Sequence, residues 1–102
     1  MADDERRKDR RYKIEANAEI RCLNMKINVK ILDISKRGFR FVTPKLIKPG
    51  TKIDAVIFLK EPERVSGEIR WVIAEPDLAQ GKMDYVMGVA VSGSITIPDD
   101  MQ

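Results

Sequence analysis

The stretch Ala16-Asn17-Ala18-Glu19-Ile20-Arg21-Cys22-Leu23-Asn24-Met25-Lys26-Ile27-Asn28-Val29-Lys30-Ile31 alternates apolar and polar side chains twice over. Ala16, Ala18, Ile20 and Cys22 share one face, with Asn17, Glu19 and Arg21 on the other. Met25, Ile27, Val29 and Ile31 repeat the pattern against Lys26, Asn28 and Lys30. A period of two belongs to an extended strand, whose successive side chains point to opposite sides. Asn24, between the two runs, is a natural turn residue. The pair predicts a hairpin of two half-buried strands.

The same reading extends along the chain. Phe39 and Phe41 resume the alternation after a break at Asp33 to Gly38, where glycine allows backbone angles that other residues avoid. Pro44 and Pro49-Gly50 mark a loop. Ile53, Ala55, Ile57 and Leu59 then alternate, and Val56 with Phe58 makes the second face apolar too, which predicts a doubly covered strand. Glu61-Pro62-Glu63 reads as a turn, Val65 to Ile73 as a strand, Pro76 to Gly81 as a loop, and Met83 to Val91 as the last strand. No segment sustains a period of 3.6. The expected fold class is therefore all-β, with about six short strands, and closure into a barrel is favoured because it removes adhesive edges. Trp71, Phe39, Phe41 and Phe58 are assigned to the core or barrel wall, and Cys22 to a buried apolar face.

At 102 residues the chain fits a single domain, and its 43% apolar and 34% charged residues are those of an ordinary globular protein. The lone Cys22 allows no internal disulfide, the start of the sequence has no secretory signal pattern, and no apolar run is long enough to cross a bilayer, so a cytoplasmic address is expected. With no histidine, one buried cysteine and no acidic cluster at metal-ligand or acid/base spacing, enzymatic chemistry, a metal and a cofactor are not expected.

The net charge of +3 is modest, but it is unevenly placed. Six cations, Arg6, Arg7, Lys8, Arg10, Arg11 and Lys13, come after an acidic start and enclose one acid, Asp9. Residues 1–12 carry no apolar pattern before Tyr12 and are expected to form a flexible basic arm. Residues 13–92 make the barrel, and residues 93–102, with Pro98 and two acids, a tail expected to fray.

Two motifs stand out: an RxxxR spacing at Arg7 and Arg11, overlapped by Arg6 and Arg10, and the DxSxxG of Asp33-Ile34-Ser35-Lys36-Arg37-Gly38. Arginine presents a planar fork of donors that fits phosphate oxygens or the O6/N7 edge of guanine. A carboxylate complements the guanine N1 and N2 donors. Separately, a basic run is often a solvated tail and an Asp-x-Ser an ordinary turn; their order and separation raise both.

Arg6-Arg7-x-x-x-Arg11 ahead of the first strand and Asp33-x-Ser35-x-x-Gly38 after the second resemble the two signatures of the PilZ domain family. Ile69-Arg70-Trp71-Val72 and Tyr85-Val86-Met87-Gly88-Val89 are similar to its later strands. The resemblance covers about residues 5–91 and implies a six-stranded antiparallel β-barrel that binds the second messenger cyclic di-GMP between the arginine arm and the barrel. By matching position it assigns Arg7 and Arg11 to guanine and phosphate, and Asp33, Ser35 and Gly38 to the other guanine edge. An arginine at position 6 is similar to family members that hold a stacked pair of ligand molecules. Arg10, Arg37 and Arg40 are secondary candidates. The implied role is a signalling receptor or adaptor that orders its arm on ligand binding and relays the signal to an unidentified downstream protein, as a monomer or weak dimer without membrane insertion. Two alternatives stay open: a PilZ-like protein-interaction adaptor that has lost its ligand, and a small nucleic-acid-binding β-barrel, which would require aromatic residues exposed on a sheet face.

Overall fold

The computed structural model describes residues 10–101. Most of the expected arm, with Arg6 and Arg7, lies outside the described residues. There are six strands in order: β1 (Tyr12–Cys22), β2 (Met25–Ser35), β3 (Gly38–Thr43), β4 (Lys52–Phe58), β5 (Pro62–Asp77) and β6 (Lys82–Ser92), with one helical turn at Asp99–Met101. All neighbours are antiparallel, and the sheet closes on itself as a barrel-like ring in the order β1-β2-β3-β6-β5-β4. The all-β, six-stranded expectation holds.

The alternating stretch 16–31 forms the β1–β2 hairpin, with Cys22 opposite Met25. Its two-residue turn places both Leu23 (φ 50°) and Asn24 (φ 64°) in the left-handed region, the turn geometry that matches the natural twist of paired strands. β1 starts at Tyr12 and β2 runs to Ser35, so both are longer than the alternation alone predicts. β5 likewise begins at Pro62, in what the sequence reads as a turn, and continues to Asp77.

The inward residues of all six strands make one core. Ile20, Ile31, Ile34, Phe41, Ile57, Ile69 and Met87 are completely enclosed, and each such side chain contributes about 1.5–3 kcal/mol relative to exposure. Phe39 and Phe41 meet inside with ring centroids 6.0 Å apart at an angle of 37°. Phe58, by contrast, is 48% exposed, and the outer face of β4 is not covered as expected. β4 is central only because a closed sheet gives every strand two neighbours; its second face still meets solvent.

β3 and β4 lie on opposite sides of the ring, so the connection 44–51 has to cross one open end, and Ile47 fills that end. The other end is closed by the C-terminal segment. Ile95 is 2% exposed, its amide donates to the Lys36 carbonyl at 2.7 Å, and Ile97 and Met101 pack against the same core. The expected fraying of the tail is therefore corrected. Ile95-Thr96-Ile97 alternates, but over too few residues to count as a strand, and nothing in so short a run tells which gap it plugs.

Candidate functional site

Two β-bulges build the site. Continued alternation from Ile31 would send Asp33 into the core, but the register of β2 against β3 shifts between Ile31 and Asp33, leaving Leu32 as the extra residue. On β5 the register against β6 shifts between Ile69 and Trp71, with Arg70 as the extra residue. A bulge turns the next side chain to the other face. Asp33 and Trp71 thus both emerge on the outside, in one row across four strands: Asp33 opposite Arg40, Arg40 opposite Gly88, Gly88 opposite Trp71.

Asp33 joins two arginines in this row. Arg40 Nε donates to Asp33 Oδ2 at 2.6 Å, with Arg40 Nη2 on the same oxygen, and Arg11 Nη1 donates to Oδ1 at 3.0 Å. The carboxylate is only 5% exposed, whereas Arg11 is 54% exposed. A carboxylate this enclosed is tolerable because both oxygens receive charged donors. The hydrogen bond to Asp33 holds the Arg40 guanidinium above its ordinary range, and the negative charges of Asp33 and Glu75 add to the effect.

The Asp33–Gly38 turn is fixed from three sides. Ser35 Oγ donates to the Gly38 carbonyl at 3.2 Å, and the Arg37 and Lys36 carbonyls accept from the amides of Val91 and Ile95. Gly38 is required by close approach and not, as expected, by unusual backbone angles. A Cβ there would overlap the Val89 carbonyl oxygen of the neighbouring strand. Ser35 itself is buried against this turn.

Beside the row lies an open pocket of about 350 Å³ lined by Arg11, Ser35, Arg37, Gly38, Arg70 and Trp71, floored by the β6 backbone at Gly88 to Ala90. Its side walls present three guanidinium groups and one indole, a combination suited to phosphates flanked by a flat base. The sequence assigns Trp71 to the core or barrel wall; the structure puts it on the outer face of the wall and not in the core. Trp71 is a half-buried platform on the outer surface, lying directly on Gly88, where a Cβ would overlap the indole. The signal that finds it is the glycine opposite: an indole can lie flat on a strand only where no side chain intervenes.

Of the sequence candidates, Arg11, Asp33, Ser35, Arg37, Gly38 and Arg40 come together here. Arg10 does not. Its guanidinium sits 5.4 Å from the Tyr12 ring centroid and faces a separate hollow with Lys36, Thr96 and Asp99. Arg6 and Arg7 lie outside the described residues. A larger hollow of about 610 Å³, between Arg21, Asp54, Arg64 and Ser94, is a poorer candidate. No aromatic side chain lines it, and its Arg21 is held by Glu19 at 2.9 Å, more tightly than Arg70 by Glu68 at 3.5 Å in the pocket beside Trp71. Among the described residues no cluster of His, Cys, Asp or Glu can hold a metal, and no helix is long and apolar enough to cross a membrane.

Known proteins share this architecture. The family model of the PilZ domain matches residues 5–98, and the chain belongs to the PilZ domain family, a family of cyclic di-GMP receptors and adaptors that is not catalytic. Its fold is similar to Klebsiella pneumoniae MrkH in its apo state, with a TM-score of 0.69 at 17% identity, covering 83% of this chain and 41% of that one. It is also similar to the Bacillus subtilis inhibitor of motility MotI/DgrA, with a TM-score of 0.64 at 18% identity, covering 88% of this chain and 43% of that one. The chain thus spans less than half the length of either. A search of curated proteins finds no match to the sequence.

Proposed function

We propose that this chain is a cytoplasmic, non-enzymatic receptor that binds cyclic di-GMP in the pocket between Arg11 and Trp71 and passes the signal to a partner protein. One observation carries the reading: a row of Asp33, Arg40, Gly88 and Trp71 that two bulges turn outward beside three arginines. Arg11, Arg37 and Arg70 supply positive charge for the ligand phosphates, and Trp71 offers a flat apolar surface to a guanine. Arg6 and Arg7, which precede the described residues, complete the arginine set.

Asp33 holds the arginines in the absence of ligand. Its bond to Arg11 is the exposed one, and a guanine that offers N1 and N2 donors to Oδ1 takes the place of Arg11 there, freeing that guanidinium for phosphate. The Arg40 bond stays and keeps the carboxylate aimed. Drawing the arginine-rich segment that precedes β1 onto the barrel creates a surface that exists only with ligand bound, which is the means of relay.

Titration calorimetry with cyclic di-GMP, GTP and a short RNA tests the reading. Saturable binding of the dinucleotide alone is expected. Preference for RNA would establish a nucleic-acid-binding barrel, and absence of any binding a protein adaptor without ligand.

A further inference from the structure

β5 and β6 outrun the rest of the barrel. β3 ends at Thr43, opposite Tyr85, and β4 pairs with β5 only between Pro62 and Glu68. Residues 74–84 therefore form a two-stranded ribbon whose outer edges pair with no other strand among the described residues. Such a ribbon gains little stability in water on its own. Even so, Leu78 at its tip is 89% exposed and Met83 43%. Pro76 lies directly opposite Met83 on the same apolar face.

The opposite face is acidic. Glu75 stands directly across from Asp84, and Asp77 across from Lys82. Like charges facing each other across a strand pair repel, and neither Glu75 nor Asp84 forms an ion-pair contact among the described residues, although Glu75 also feels the more distant charge of Arg40. A chain of net charge +3 thus gathers three acids and one lysine on a ribbon with an apolar reverse side. Pro76 lacks the amide that an added strand would need, which opposes edge-to-edge pairing and leaves face-on contact.

We propose that the 74–84 ribbon is a docking surface for a protein partner whose site joins an apolar groove, filled by Leu78 and Met83, to a rim of Lys or Arg that settles on Glu75 and Asp84. A cation placed between those two carboxylates turns their repulsion into attraction, so charge complementarity selects a basic partner and repels an anionic lipid surface. The ribbon continues the strand that carries Trp71, which connects the partner surface to the pocket wall. Strand pairing puts Pro76 and Met83 on one face and Glu75 and Asp84 on the other, with Leu78 in the turn at the tip, whether or not the pocket takes a nucleotide.

The test uses the full chain with a photo-crosslinking amino acid in place of Leu78, and in a control in place of the exposed Lys26, irradiated in cells. The protein captured at position 78 and absent at position 26 is then purified and titrated against the chain. The paired changes Leu78→Ser with Met83→Ser, and Glu75→Lys with Asp84→Lys, are each expected to weaken it about tenfold or more, while Lys26→Glu leaves it within about twofold. An adduct with a second copy of the chain, an adduct with lipid, no adduct at position 78, or affinity indifferent to the charge reversal each overturns the proposal. Calorimetry of the same variants with cyclic di-GMP reads the pocket separately. Loss of nucleotide binding in the unmodified chain, with ribbon-dependent partner binding intact, would count against the receptor reading alone.

Discussion

Trp71 lies flat on Gly88, its cross-strand partner, so closely that any side chain at position 88 would occupy the place of the indole. The pairing makes the platform: the bulge at Arg70 turns the ring outward, and the bare backbone of β6 supports it at the edge of the arginine-lined pocket.

Trp71 is the sole tryptophan of the chain, so its fluorescence reports on the pocket directly. Cyclic di-GMP is expected to quench it in a saturable way. Trp71→Ala removes a stacking surface worth about 1–3 kcal/mol, a loss of roughly five- to a hundredfold in affinity. Gly88→Ala keeps the indole but lifts it, and its emission should shift to the red with a comparable loss of binding. An unchanged dissociation constant in both variants, measured by calorimetry, would remove Trp71 from the site.

The two arginines on Asp33 differ in exposure, and their removal should separate stability from affinity. Arg40, with the shorter bond at 2.6 Å and 38% exposure, mainly satisfies the enclosed carboxylate. Arg40→Ala is expected to cost about 1.5–3 kcal/mol of folding free energy in urea melts, the scale of a charge-assisted hydrogen bond. Arg11→Ala breaks a bond made by a largely solvated guanidinium and should cost no more than about 1 kcal/mol. In calorimetry the order reverses for Arg11, which the ligand recruits: about ten- to a hundredfold in affinity is expected to go with it. Equal stability costs with no loss of affinity for Arg11→Ala would refute the division of roles.

Much of this is visible in the chain before any fold is drawn. The alternation from Ala16 to Ile31 is the β1–β2 hairpin, and the clustering of Asp33, Ser35 and Gly38 with Arg11 matches the motifs. What local periodicity cannot carry is a single inserted residue. Leu32 and Arg70 look like ordinary members of their strands, yet each reverses the face of the side chain after it, so alternation alone does not put Trp71 on the outer face. Arg40 is similar: its place against Asp33 depends on the β2–β3 register, which the bulge at Leu32 sets. The ring order and the closure by Ile47 and Ile95 depend on contacts between residues far apart in sequence, and no pattern of neighbours encodes them.

The hairpin turn carries strain that one substitution relieves. Leu23 adopts φ 50° with its side chain 72% exposed, so no packing compensates a conformation that Asn and Gly accept far more readily than a branched apolar residue. Leu23→Asn is expected to stabilise the protein by about 1 kcal/mol, a rise in melting temperature of about 4–8 °C for a chain of this size. Far-UV circular dichroism melts check it. Ligand affinity should not move, because the turn is at the opposite end of β2 from Asp33.

Cys22 ties part of the protein's stability to alkaline pH. Burial on the inner face of β1 pushes its thiol above the ordinary range, since the thiolate would lose its hydration there. The folded form therefore keeps a proton that the unfolded chain releases once pH passes the ordinary thiol value of about 8.5. Because the folded value is the higher one, this contribution is fully present below about pH 8.5 and is lost as pH rises toward the folded value. Urea melts at a series of alkaline pH values should show the wild-type chain losing stability relative to Cys22→Ala over that window, and running parallel to it below. Maleimide labelling near pH 8 should likewise be slow in the native protein and accelerate across the urea transition. Rapid labelling without denaturant would mean that the β1 face opens readily, and that the hairpin is less firmly packed than its enclosed isoleucines imply.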